Sequence, residues 1–354
     1  PDPMNMKASS LSLANRHALT EGGRRQASQL LEYDAYTGPA PVALKDYWGQ
    51  VTRQSIGKAG ITPDHIQRAL KGLVLSAEIL EQLGVAAASG KPLFLYGPAG
   101  NGKTVICQCL GRIWPDEILV PYAIYVDGQV IQVFDEITHG RSEEAASGAE
   151  RMDRRWVRCR RPVVTVGGEL TLDMLDLAYK PELKYFEAPL QLKANNGVFI
   201  VDDFGRQQIS PQELLNRWII PLETRQDFLR LRTGQKFAVP FDQFIIFATN
   251  LEPRSLVDDA FLRRLRSKVK VDYVNRSQFV EIFQLFCDQY HLEFEPEAVE
   301  YLLSRYYDDG KRPLTACHPR DLLEQILDYC RYYQLAPRLT PENIDRACHS
   351  YFVA

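Results

Sequence analysis

Gly97-Pro98-Ala99-Gly100-Asn101-Gly102-Lys103-Thr104 follows directly on Pro92-Leu93-Phe94-Leu95-Tyr96, a short apolar run that reads as a buried strand. Every fixed position of the pattern G-x-x-x-x-G-K-[S/T] is present. Its glycines let backbone N–H groups close on phosphate oxygens with no Cβ in the way. A helix opening near Gly102 and running on through Val105 adds the positive end of its dipole. Lys103 is then placed to reach the outer phosphates, and the Thr104 hydroxyl to hold Mg2+. Residues 97–105 are therefore expected to bind ATP.

About a hundred residues on, Gly197-Val198-Phe199-Ile200-Val201 reads as a second buried strand ending in Asp202-Asp203. A carboxylate delivered by a strand end suits the metal shell, so Asp202 joins Thr104 as a candidate Mg2+ holder. Asp203 is the candidate for polarising the attacking water; the same two acids could also cap the next turn. Phe244-Ile245-Ile246-Phe247-Ala248 is a third buried strand, followed by Thr249-Asn250. An amide at that strand end can orient the lytic water, although Asn after a strand is more often a turn former. Arg263 or Arg264 could supply a guanidinium to the γ-phosphate, in trans if need be. Their alternative is a solvated basic face running on through Arg266, Lys268 and Lys270. Arg320, on the first turn of a predicted helix, could reach over the nucleotide.

These elements, in this order, resemble the AAA+ ATPase module. Gly97 to Thr104 corresponds to its Walker A loop and Asp202-Asp203 to Walker B. Asn250 corresponds to sensor 1, Arg263/Arg264 to the arginine finger and Arg320 to sensor 2 on a helical lid. The resemblance implies a ring or helical oligomer, usually of six subunits, with ATP at each interface and hydrolysis moving a partner. The predicted hairpin of residues 228–239 resembles the pre-sensor-1 hairpin of MoxR-like chaperones and enhancer-binding activators. The whole chain is similar to bacterial proteins described as ATPases with chaperone activity. In those a winged-helix segment comes first, and residues 16–24 look like its tail. Most AAA+ proteins carry Glu where Asp203 stands, whereas helicase loaders and insertion-sequence ATPases carry Asp-Asp. One methylene fewer draws the carboxylate back, which predicts slow or partner-completed hydrolysis.

The expected organisation is an arm or linker over residues 1–60, an α/β ATPase block over 61–272 and a helical lid over 273–354. The fold class is α/β: a three-layer P-loop sandwich with a mostly parallel sheet, then a small all-α domain. Thr62-Pro63-Asp64 opens a predicted helix that carries apolar residues at helical spacing as far as Gly84. Asp127-Gly128 marks a hairpin, and Ser210-Pro211-Gln212-Glu213 is a capping box. Helical patterns cover residues 278–290, 297–307, 319–333 and 341–349.

Two patches leave alternatives open. Arg151, Arg154, Arg155, Arg158, Arg160 and Arg161 crowd around Trp156, where strand alternation puts Trp156, Arg158 and Arg160 on one face. They could track nucleic acid, face an acidic neighbour or meet solvent. Tyr179, Tyr185 and Phe186 suit a central-pore loop or the core equally.

The 354 residues carry a formal net charge of −3, so any nucleic-acid binding has to come from a local patch. No apolar run reaches the ~18 residues of a membrane span. The polar start, Pro1-Asp2-Pro3-Met4-Asn5-Met6, lacks a leader pattern, and seven cysteines without a Cys-x-x-Cys pair suit reduced thiols. A cytoplasmic location is expected. The leading functional expectation is an oligomeric ATPase, hexameric by preference, that remodels a protein partner. The alternatives are a nucleic-acid-associated ATPase of the helicase-loader or transposition type, and a slow-hydrolysing assembly switch.

Overall fold

Five short strands, four of them mainly apolar, form the central sheet of the computed structural model, which describes residues 18–142, 153–257, 262–263, 265–308 and 312–352. They are β1 (Leu93–Tyr96), β2 (Val163–Val166), β3 (Val198–Val201), β4 (Phe244–Thr249) and β5 (Ser267–Lys270). All pairings are parallel, in the spatial order β5-β1-β4-β3-β2. β3 and β4 are buried at every position, which is why they read as unbroken apolar runs rather than alternating ones.

Alternation along these strands feeds two cores. Leu93, Leu95, Val198, Ile200 and Ile246 pack with Leu83, Ile106 and Leu110 from helices on one face. Phe94, Phe199, Val201, Ile245 and Phe247 pack with Leu214, Leu215 and Trp218 from the Pro211–Thr224 helix on the other. The three-layer α/β sandwich expected from the sequence is present. Ser210 Oγ accepts from Glu213 N at 3.3 Å while the Glu213 carboxylate accepts from Ser210 N at 3.1 Å, so the capping box forms as well.

Because β4 lies between β1 and β3, the carboxyl ends of all three emerge side by side. The glycine loop, Asp202-Asp203 and Asn250 are thereby delivered to one edge of the sheet, where open α/β sheets hold ligands.

A second sheet lies outside this frame. Val42–Ala43, Ala123–Val126, Gln129–Gln132, Tyr185–Glu187 and Ala178–Lys180 form it in that spatial order. Asp127 and Gly128 turn the 123–132 hairpin with φ of 46° and 83°, as their sequence predicts. The predicted second hairpin forms from Gln226–Arg230 and Lys236–Pro240.

Helices Arg276–Gln289, Pro296–Tyr306, His318–Tyr332 and Pro341–Tyr351 then build a separate core around Phe279, Phe283, Leu303 and Leu323. No helix among the described residues is long and apolar enough to cross a membrane. All seven cysteines are free thiols.

The structure corrects several readings. Residues 42–58, taken as part of an arm, pack into the body: Val42 pairs with Ile124, and Tyr47 and Val51 are buried. Sparse apolar residues hid this, since the segment buries one face only. The Glu21–Leu31 helix has no buried residue, and Lys184 Nζ donates to the carbonyls at its end, Leu31 at 3.5 Å and Glu32 at 2.6 Å. Arg16 and His17, the start of the winged-helix-like stretch, lie outside the described residues. The long helix read from Thr62 to Gly84 is two, Pro63–Ala69 and Ala77–Ser89. Gly72 at φ 91° breaks the first, Ser76 caps the second, and the second runs through Gly84 to Gly90 in the left-handed region.

Of the aromatics between the two possibilities, Phe186 is 2% exposed and belongs to the core. Tyr179 packs edge-on against Phe186, and Tyr185 against Tyr36. The arginine cluster divides. Arg158 and Arg160 point outward beside half-buried Trp156 as alternation predicts, with Arg158 3.7 Å from Glu117. Arg161 is buried on Asp116 and donates to the carbonyls of Gln54 and Asn196, a structural role. Arg151 lies outside the described residues.

Candidate functional site

A cavity of about 450 Å³ opens between the sheet edge and the helical domain. Gly100, Asn101, Gly102, Lys103, Thr104 and Val105 line it from the glycine loop, Asp202 and Asp203 from β3, Thr249 and Asn250 from β4. Arg320 reaches it from the helical domain. Gly97, Pro98 and Ala99 form the rising arm of the loop.

The loop has the shape its glycines permit. Gly97, Gly100 and Gly102 have φ of 135°, 78° and 79°. A Cβ on Gly97 would lie 2.2 Å from the Val271 carbonyl oxygen, so only glycine fits. The Lys103–Gly111 helix starts immediately after Gly102 and aims its amino end at the cavity.

Lys103 is 7% exposed, and its ammonium donates to the carbonyls of Gly97 at 2.8 Å and Pro98 at 2.7 Å. Burial pushes its pKa down, while the nearby Asp203 and Asp202 charges oppose the shift. A desolvated cation held only by neutral oxygens is electrostatically under-compensated, which fits an incoming phosphate.

Asp203 has left-handed backbone, φ 50°. The turn around it is laced: Phe204 N donates to Ala248 O at 2.7 Å and Thr249 Oγ1 to Phe204 O at 2.7 Å. Gln207 Nε2 donates to the carbonyls of Asp202 at 2.9 Å and Asp203 at 3.1 Å. Asn250 Nδ2 then donates to Asp203 Oδ1 at 3.1 Å. Asp202 Oδ1 accepts from Asp203 N at 3.0 Å. Its other oxygen takes no hydrogen bond among the described residues. Hard oxygen donors from Asp202 and the exposed Thr104 hydroxyl are the type that Mg2+ prefers.

Arg320 is half exposed and paired with Asp321, Nε to Oδ1 at 2.9 Å, with Glu324 at 3.9 Å. Asp321 also accepts from Tyr351 OH at 2.7 Å. Arg263 lies apart, exposed in a separate cleft with Tyr96, Glu252, Arg254 and Lys268. Arg264 lies outside the described residues.

Sequence reasoning missed the other end of the cavity. The break after the Pro63–Ala69 helix puts Gly72, Leu73 and Leu75 there, opposite Ile282, Phe286 and Gln289 of the helical domain. Apolar walls with one amide suit a planar base. The missed signal was Gly72, which was read as a position inside a helix. Also missed were two bonds clamping the helical domain to the loop: Cys317 N to Gly100 O at 2.8 Å and Ala316 N to Asn101 Oδ1 at 3.0 Å.

Residues 275–350 match a family model described as a domain of unknown function, DUF8689, which covers the helical domain and well under half of the chain. No curated protein matches the chain in sequence. Among solved structures, NtrX from Brucella abortus in complex with ADP is similar at 15% identity and TM-score 0.47, over 78% of this chain and 55% of its own. The chain thus spans little more than half the length of that relative. The Thermotoga maritima RuvB Holliday junction branch migration motor is similar at 13% identity and TM-score 0.45, over 78% of this chain and 69% of its own. Domain III of the Thermotoga maritima replication initiation protein DnaA gives 13% identity and TM-score 0.45, over 83% of this chain and all of its own. These likenesses are distant, and the site stands on its own geometry.

Proposed function

We propose that the chain is an ATPase of the AAA+ type that works as an oligomer, hexameric by preference, and remodels a protein partner. The observation that carries this reading is convergence: Lys103, Thr104, Asp202, Asp203, Asn250 and Arg320 line one cavity whose floor is the glycine loop. Lys103 moves from the Gly97 and Pro98 carbonyls to the outer phosphates. Asp203, oriented by Asn250, accepts a proton from the attacking water. Arg320 leaves Asp321 for phosphate charge. Thr104 and Asp202 would hold Mg2+, which when bound neutralises charge between the phosphates.

The position of Arg263 supports the oligomer. Its exposed cleft is separate from its own cavity, so a neighbouring copy is the natural recipient of its guanidinium. Arg264 shares that proposed role.

The test is Mg-ATP turnover measured at rising protein concentration, with Asp203→Asn alongside. The parent should turn over faster as it assembles, and Asp203→Asn should keep ATP affinity while losing about 100-fold or more in rate. Undiminished turnover in the variant would remove Asp203 from its role. Tight binding with negligible parental turnover at every concentration would favour the assembly switch instead.

A further inference from the structure

The outer face of the 226–240 hairpin carries charges that the chain itself does not compensate. Its inner face is saturated: Leu229, Leu231, Phe237 and Val239 are buried, and the buried Asp227 is paired with Arg217. On the outer face Arg230 stands directly opposite Lys236 in the antiparallel register, and both are exposed. Like charges at that position, with Cβ atoms roughly 5 Å apart, repel and weaken a two-stranded ribbon. Neither has a carboxylate partner among the described residues. Arg232, at the tip, lies over the Tyr179 ring at 4.2 Å. Asp127, on the turn of the 123–132 hairpin, accepts from Gln235 Nε2 at 2.8 Å.

The tip is well defined, with Leu231 N donating to Gln235 O and Gly234 N to Leu231 O, both at 2.9 Å. The backbone register thus places Arg230 and Lys236 on one face of a short ribbon, with Arg232 just beyond the paired residues. Phe228, two residues before Arg230 and on the same face, is 50% exposed. A bare aromatic beside an unpaired cation pair offers one surface for stacking and another for phosphate. An acidic polypeptide would satisfy the cations and leave Phe228 wet.

From this arrangement we infer that the outer face of the hairpin binds single-stranded nucleic acid. Arg230, Lys236 and Arg232 take the phosphates, and Phe228 takes a base. The repulsion between Arg230 and Lys236 is relieved when a phosphate lies between them. Nucleotide at the glycine loop is not required, so the inference stands or falls separately from the ATPase reading.

The experiment is fluorescence anisotropy of the full chain without ATP, using labelled oligothymidylate, duplex of equal length and polyglutamate across a salt series. Oligothymidylate should bind best, with a log–log salt slope of about −2 for three phosphates. Arg230→Gln/Lys236→Gln should weaken it about tenfold or more and flatten the slope by about 1.4. Phe228→Ala should weaken it about fivefold or more with the slope unchanged. Lys236→Glu, which sets opposite charges across the ribbon, should melt no lower than the parent and still lose binding. That variant separates lost recognition from lost folding. Preference for duplex or for polyglutamate, absence of oligothymidylate binding, or unchanged binding in the double variant would overturn the inference.

Discussion

Asn250 Nδ2 donates to Asp203 Oδ1 across 3.1 Å, joining the end of β4 to the end of β3. The bond exists because β4 is inserted between β1 and β3, so the two strand ends are neighbours. It engages one carboxylate oxygen and leaves the other without a hydrogen bond among the described residues. Asn250→Ala should therefore keep ATP affinity within a few-fold and lower kcat by about 100-fold, the cost of a misplaced catalytic group. Calorimetric titration and phosphate release measure the two quantities; equal losses in both would show that Asn250 serves binding instead.

Asp203 occupies the left-handed region at φ 50°, which short Asp and Asn side chains tolerate better than Glu does. The local backbone thus gives a physical reason for Asp at this position. Asp203→Glu should cost about 1 kcal/mol of stability, whereas Asp203→Asn should be near neutral. Denaturant midpoints of the two variants check this, and indistinguishable midpoints would count against the strain argument.

The loop glycines separate into two kinds. A Cβ on Gly97 meets the Val271 carbonyl at 2.2 Å, and that oxygen belongs to backbone that cannot swing away. A Cβ on Gly102 meets nothing within 4 Å and carries only the strain of φ 79°. Gly97→Ala should lose more than about 3 kcal/mol and Gly102→Ala about 1 kcal/mol, read from chemical denaturation.

His318 sits in the helical domain against Tyr307, whose hydroxyl is 2.8 Å from Nδ1, and against the rings of Tyr351 and Phe352. Burial lowers its pKa from 6.5 to about 4; Asp321 opposes the shift and Arg312 adds to it. Between those values the unfolded chain holds the extra proton, so His318 draws stability down as pH falls from 6.5 toward 4. The melting temperature of His318→Gln should fall less steeply over that window than the parent's. Parallel profiles would show that His318 titrates as an exposed imidazole.

Much of this was legible in the sequence because the decisive signals are local. The glycine loop is contiguous, and β3 and β4, buried on both faces, leave unbroken apolar runs ending in the residues of interest. Asn250, ambiguous by itself after a strand, could be placed because the glycine loop and Asp202-Asp203 precede it. What escaped depends on distant pairing. Val42 reads as part of a Pro-rich linker until Ile124 pairs with it. Gly72 could be tolerated within a helix, and only the opposing Phe286 shows why the chain turns there. The Asn101–Ala316 bond spans 215 positions, beyond any periodicity. Asp203 was identified by type, but its left-handed backbone depends on Gln207 and on the β4 edge.

ATP binding in this cavity turns on the buried Lys103 ammonium at its floor. Its most direct test is calorimetric titration of Mg-ATP into the parent and into Lys103→Ala at equal concentration. Binding to the parent should be saturable and affinity at least about 100-fold weaker in the variant, as expected when a charge-assisted phosphate contact is removed. Equal affinity in the two proteins, or no binding to either, would contradict it.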